Sequence, residues 1–136
     1  MTQKSEFRNS FAERVSNLDW VAGFFDGEGC IYYKADRVRS TVKGVQYRSP
    51  DIQVVIGQSG EQGKNLLEEF QKIYGFGKIS NSHGSTLTKK TPYLCRLSGK
   101  KAINFLEKIE PALLLKKQKA QEVISLGKEH FYAKQR

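Results

Sequence analysis

One stretch constrains this chain more than any other: Leu18-Asp19-Trp20-Val21-Ala22-Gly23-Phe24-Phe25-Asp26-Gly27-Glu28-Gly29-Cys30-Ile31. It is apolar, carries three glycines, and ends in two carboxylates with one glycine between them. An ordinary helix has no need of that many glycines and acids in its last turns. The spacing Gly23-x-x-x-Gly27 lets a second helix approach with no side chain between the backbones, and Ala22 adds to the small surface. The motif occurs once, so the second helix is expected from another copy of the chain. An isologous two-fold contact of that kind brings two Glu28 side chains near the axis. Carboxylates that close repel unless a cation lies among them. A hard divalent ion such as Mg²⁺ takes oxygen ligands and keeps several waters. Such an ion activates water and neutralises charge on a phosphate.

Charge says what such a centre acts on. The 136 residues carry 23 Lys and Arg against 14 Asp and Glu, a net charge of +9. That excess implies a polyanionic partner, most often nucleic acid. The length suits one domain with a real core. No apolar run reaches transmembrane length, so no membrane partner is expected. The first 17 residues lack an apolar signal core, and Glu6 and Glu13 argue against an organellar transit sequence. Cys30 and Cys95 form neither a disulfide framework nor a zinc pattern, which points to a reduced, intracellular compartment.

Along the chain, residues 1–16 read as a short N-terminal extension with a helical turn. Asn17 is a candidate N-cap for a helix over 18–28, ended by Gly27 and Gly29. Residues 30–36 alternate, with Ile31, Tyr33 and Ala35 on one face and Tyr32, Lys34 and Asp36 on the other, which predicts a strand. A basic loop is expected from Arg37 to Arg48. Residues 51–58 alternate again, Ile52, Val54 and Ile56 inward and Asp51, Gln53 and Val55 outward. Gly60 and Gly63 break the pattern. Leu66, Leu67, Phe70 and Ile73 then recur at helical spacing until Gly75. Residues 77–82 read as a short strand, 81–90 as a polar hairpin loop, and 91–98 as the returning strand, with Tyr93, Cys95 and Leu97 on one face. Ala102, Phe105, Leu106 and Ile109 mark a helix over 100–108. Pro111 suits the first turn of a last helix that runs to about Leu126, burying Leu113, Ala120, Val123 and Ile124. The domain spans 17–128, and 129–136 form a basic tail.

This order predicts an α+β domain. Two hairpins lie side by side in one antiparallel sheet, and helices cover one face. The other face carries Lys34, Asp36, Gln53, Lys78, Ser80 and Arg96. Donors, acceptors and cations on a sheet face are what a β-ribbon reader of the DNA major groove needs. Lys34, Arg37, Arg39, Arg48, Lys78 and Arg96 are candidates for bases or phosphates. Asp36, Gln53 and Ser80 are candidates for bases, since they add no phosphate attraction. Lys64, near the start of the second helix, is a candidate for a backbone contact.

The run from Trp20 to Gly29 resembles the LAGLIDADG motif of homing endonucleases, with Glu28 in place of the final aspartate. The likeness extends to the strand ending in Gln58, the helix closing on Gly75-Phe76-Gly77, the segment Ser98-Gly99-Lys100-Lys101-Ala102, and Pro111-Ala112-Leu113-Leu114-Leu115-Lys116-Lys117-Gln118-Lys119. All are similar to the single-motif, homodimeric branch. The resemblance implies an αββαββα fold whose saddle-shaped, four-stranded antiparallel sheet straddles double-stranded DNA. It also implies a dimer interface of motif helices at Ala22, Gly23 and Gly27. The implied activity is a Mg²⁺-dependent double-strand break across the minor groove, at a long, nearly palindromic site, leaving 3′ overhangs. Metal ligands then fall at the Glu28 carboxylate and the Gly27 carbonyl. Gln58 corresponds to an active-site glutamine that orients water, and Lys116 to an active-site lysine that stabilises charge at the phosphate. Lys117 and Lys119 become phosphate contacts. Asp26 is expected to hydrogen-bond structure rather than bind metal. His83 and His130 receive no role.

Two other readings share this fold: an intron maturase that holds RNA, and a DNA-binding regulator with a dead active site. Glu28, Gln58 and Lys116 occurring together favour a live nuclease over the last. The resemblance also implies an intron-borne gene of a chloroplast, a mitochondrion or a prokaryotic cytoplasm.

Overall fold

The computed structural model describes residues 3–81 and 91–132. Its elements are α1 (Gln3–Ser16), α2 (Leu18–Glu28), β1 (Gly29–Ser40), β2 (Gln46–Ser59), α3 (Gly60–Tyr74), β3 (Ser80–Asn81), β4 (Pro92–Ser98), α4 (Lys100–Ile109), a 3-10 turn at Glu110–Ala112, and α5 (Lys117–Tyr132). The four strands form one antiparallel sheet in the order β1-β2-β4-β3. Helices α2 to α5 pack on one face, so the predicted α+β architecture holds.

The alternation read along β2 is the one that builds the core. Ile52, Val54 and Ile56 are buried with Cys95 and Leu97 of β4, their register partners or next to them. The helices answer with Val21 and Phe25, Leu67 and Phe70, Ile103 and Leu106, and Ala120 and Val123. Aromatic edges knit the helical layer. Phe105 meets Phe25, Tyr74 and Phe76 edge-on, with ring centroids 5.8, 5.3 and 5.1 Å away, an arrangement favoured by the ring quadrupoles.

Several boundaries move. The expected N-terminal extension is a 14-residue helix. Its Val15 is fully buried, and the Val15 carbonyl accepts a 2.6 Å bond from the Tyr74 hydroxyl. The basic loop over 37–48 is mostly strand, because cross-strand pairing runs out to Ser40↔Gln46 and leaves only a tight turn between. Helix α3 starts at Gly60, earlier than its apolar spacing indicates, and Ile73 stays 39% exposed while Tyr74 packs instead. The strand expected over 77–82 shortens to Ser80–Asn81. The hairpin loop beyond it, including His83, lies outside the described residues. The last helix runs on to Tyr132, through the first part of the expected tail, whose end is outside the described residues.

Candidate functional site

Helix α2 is built to present its last turn. The Asn17 side chain caps it by accepting a 3.1 Å bond from the Trp20 amide. Val21, Ala22 and Phe25 face the core. Gly23 and Gly27 lie exposed on the opposite side, where an added Cβ would meet nothing within 4 Å. Ala22 therefore corrects the expected interface: its 0% exposure puts it in the core, and the two glycines alone form the small outer stripe. Glu28 ends the helix exposed to solvent. Gly29 follows because no side chain fits: a Cβ there would come within 2.0 Å of the Phe25 ring.

Asp26 is 8% exposed, and its carboxylate accepts the amides of Leu114 at 2.7 Å, Leu115 at 3.1 Å and Lys116 at 2.9 Å. The acid of the motif helix thus caps a distant segment. Pro111 accordingly does not open the last helix. It sits in the 3-10 turn, the chain runs extended at Leu113, and α5 begins only at Lys117. The same clasp returns Lys116 to the motif, where its Nζ donates to the Asp26 carbonyl at 2.5 Å. Leu114 and Leu115 are left 85% and 83% exposed beside the end of α2.

Glu28 and Gln58 line one open cleft of about 460 Å³ with Gly57, Ser59, Pro92, Tyr93 and Leu94. Gln58 shares the inward register of Ile56 but stays partly exposed near the end of β2. Gly63 makes room for it: a Cβ at 63 would lie 2.8 Å from the Gln58 Cβ and 3.1 Å from its carbonyl carbon. Lys64 stands over the Tyr93 ring, 5.7 Å from its centroid, on the rim of this cleft. Among the described residues no cluster of three or more His, Cys, Asp or Glu side chains exists. The Glu28 carboxylate, the Gln58 amide oxygen and the Gly27 carbonyl in the last turn of α2 are all hard oxygen donors. They fit Mg²⁺ or Ca²⁺, which complete their shells with water and phosphate.

The outer sheet face is arranged by a bulge. Pairing is Lys34↔Asp51 and then Arg37↔Ser49, so β1 carries one residue more than β2 between them. Cross-strand partners share a face. Strict alternation would put Arg37 and Arg39 on the helical side, whereas the extra residue puts them beside Lys34, Ser49, Asp51 and Gln53. Two expected members of that face lie elsewhere. Arg48 falls in the opposite register, facing Val38, and ion-pairs with Asp36. Arg96 and Ser80 are on the outer face, in register with Val55 and Leu94. Lys34 and Lys78 are exposed. Lys117 opens α5 with its side chain partly exposed, and its Nζ donates to the Pro111 carbonyl at 3.1 Å. Lys119 lines a cleft under β1 with Tyr33 and Leu115. Sequence reasoning passed over Asp51, 5% exposed. An acid amid basic neighbours on an alternating strand was the available signal.

A family model described as LAGLIDADG endonuclease matches residues 21–125. The fold is similar to that of the homing endonuclease I-CvuI in complex with its target and Ca, at TM-score 0.64 and 25% identity over 90% of this chain and 72% of that one. The homing endonuclease I-TnaI matches at TM-score 0.54 and 26% identity, covering 80% and 71% of the two chains. The group I intron-encoded I-CeuI complexed with DNA matches in fold, at TM-score 0.57 and 17% identity, covering 87% and 57%. No curated protein sequence matches the chain.

Proposed function

The chain belongs to the LAGLIDADG endonuclease family and is a site-specific endodeoxyribonuclease; we propose that it works as a homodimer that makes a Mg²⁺-dependent double-strand break, with 3′ overhangs, at a long, nearly palindromic site. One observation carries the catalytic assignment. The end of α2 puts exposed Glu28 in a cleft with Gln58 and holds Lys116 on the neighbouring carbonyl of Asp26. In this reading Glu28 and the Gly27 carbonyl hold the divalent ion. That ion supplies Lewis-acid stabilisation of a phosphate and a more acidic water. Gln58 orients water in the cleft, and the Lys116 ammonium stabilises charge that develops at the phosphate. The homing endonucleases I-CvuI and I-CeuI bind DNA, and the outer sheet face is the surface that meets it here.

The dimer reading rests on α2. Gly23 and Gly27 form a stripe open to a second backbone, next to the apolar Leu114 and Leu115. Apolar side chains so exposed beside such a stripe mark an interaction surface. Cys30 and Cys95 are both free thiols, which suits a reducing compartment inside a cell or organelle.

Purified protein incubated with a library of long duplex sites is expected to cut a subset with Mg²⁺ and none with EDTA. Absence of cutting at every site would sink the nuclease reading. Glu28→Gln should keep DNA affinity while lowering the cleavage rate by about a hundredfold or more. Equal loss of binding and cutting would make Glu28 structural.

A further inference from the structure

The outer face holds a buried charge that the cleavage chemistry does not use. The Asp51 side chain is 7% exposed, among groups meant for solvent or DNA. Arg37 Nη1 donates to its Oδ2 at 2.8 Å, and Arg39 Nη2 lies 3.7 Å from Oδ1. Gln53 Nε2 lies 3.3 Å from both carboxylate oxygens. The Arg39 Nε also donates to Ser49 Oγ at 2.8 Å, and Arg96 Nη1 donates to Gln53 Oε1 at 3.3 Å. Five polar side chains on three strands are thus joined through one carboxylate. The β1 bulge is what brings the two arginines to it.

A carboxylate this buried is costly unless paired, and here the pairing fixes the partners as well. Each guanidinium has five donors in a rigid fork. Arg37 spends one on Asp51, Arg39 spends one on Ser49 and faces Asp51 with another, and the side chains remain 50% and 39% exposed. Donors are left over on forks whose planes are already set. The Gln53 amide is likewise fixed in sense, nitrogen toward Asp51 and oxygen toward Arg96. Bidentate reading of guanine by Arg and of adenine by Gln depends on such alignment. Side chains ordered beforehand also lose less freedom on binding.

We propose that Asp51 is a specificity-determining positioning residue: its carboxylate holds Arg37, Arg39 and Gln53 as one pre-set constellation, so base discrimination by the three rises and falls together. This rests on the reading that the outer sheet face meets DNA. Asp51 acts through its neighbours and needs no contact with a base.

The test is a cleavage profile over all single-base variants of the preferred site. It compares the full-length wild type with Asp51→Ala, the isosteric Asp51→Asn, Arg37→Ala, Arg39→Ala and Gln53→Ala, and with the Asp51→Asn/Arg37→Ala double variant. Asp51→Asn keeps the shape and serves if Asp51→Ala fails to fold. Either Asp51 variant is expected to flatten discrimination roughly tenfold at the base pairs that the Arg37, Arg39 and Gln53 variants flatten, and to leave the other base pairs as in wild type. The double variant should be no worse than Arg37→Ala at the base pairs read by Arg37. A uniform loss across all sites, as a merely structural role would give, or additive effects in the double variant, overturns the proposal alone. If the Arg37, Arg39 and Gln53 variants themselves leave every base pair unchanged, the DNA-facing reading of this surface fails and the proposal falls with it.

Discussion

Asp26 and Glu28 stand two positions apart at the end of α2 and meet different fates. Asp26 turns inward to three backbone amides, while Glu28 is left in solvent at the mouth of the cleft. The physical division is between a carboxylate whose lone pairs are satisfied and one that is open to a cation. Asp26→Ala removes the shared acceptor. Water reaches the exposed Leu114 and Leu115 segment, so the expected loss is about 2–4 kcal/mol of stability, read as a fall in the denaturant midpoint. Lys116 should lose its placement too, so cleavage measured where the variant is still folded should fall further than binding. Binding and cutting that fall in parallel would mean that the clasp serves stability alone. Burial pushes the Cys95 thiol up to about 12, whereas Cys30 is exposed. The thiolate is the reactive form. At pH 8 the native protein should therefore take up one equivalent of an alkylating reagent at Cys30, and Cys95 should react only after unfolding. The unfolded thiol ionises near its usual value of 9.0 and the folded one does not. Stability should accordingly decline as pH rises from about 9 toward 12, since the unfolded chain then binds fewer protons.

At the scale of elements, close approach decides more than propensity. The turn from β2 into α3 brings Gly63 against Gln58, with no room for a methyl group. Gly63→Ala should improve the helix on intrinsic propensity. Its Cβ, 2.8 Å from that of Gln58, would nevertheless push the end of β2 and shift the amide in the cleft. Misplacement of this order can lower a rate about ten- to hundredfold. Single-turnover cleavage should show that loss while DNA affinity stays within about twofold of wild type. An unchanged rate would detach Gln58 from the chemistry. The β1 bulge acts at the same scale in the other direction. One extra residue moves Arg37 and Arg39 onto the outer face, while the regular alternation of β2 turns Arg48 away from it, where it pairs with Asp36.

In the proposed homodimer each chain is half of the active assembly, and Gly27 tests that. Inside one copy its Cβ position faces open space. Gly27→Leu should thus leave the fold intact or slightly steadier, because glycine costs a helix interior about 1 kcal/mol. Across a helix pair the same side chain would hold the backbones apart. Overpacking of about 1–3 kcal/mol at the contact predicts dissociation about five- to 150-fold easier, read by sedimentation, with cleavage lost at concentrations where binding by single copies persists. A variant that sediments as wild type would move the interface away from α2. Leu114 and Leu115, exposed beside this stripe, are the neighbouring side chains that such a contact would cover.

Local spacing was enough to read the periodic parts: the apolar alternation of β2 and β4, the capped start of α2, its two glycines, and the acid left at its end. These depend on residues a few positions apart, where the spacing of apolar groups and the backbone needs of glycine and asparagine are local physics. The pairing of Glu28 with Gln58 was legible only through resemblance, since nothing local links residue 28 to the end of β2. The rest depends on contacts between distant parts of the chain. Asp26 finds its partners 88 to 90 residues away, and that contact breaks the helix expected at Pro111. The bulge follows from the register of two strands together, so no run of β1 alone announces it. The first helix buries Val15 only because Tyr74 and its neighbours are there to receive it. Local spacing states which face a side chain can take; only the packed neighbours fix what it meets there.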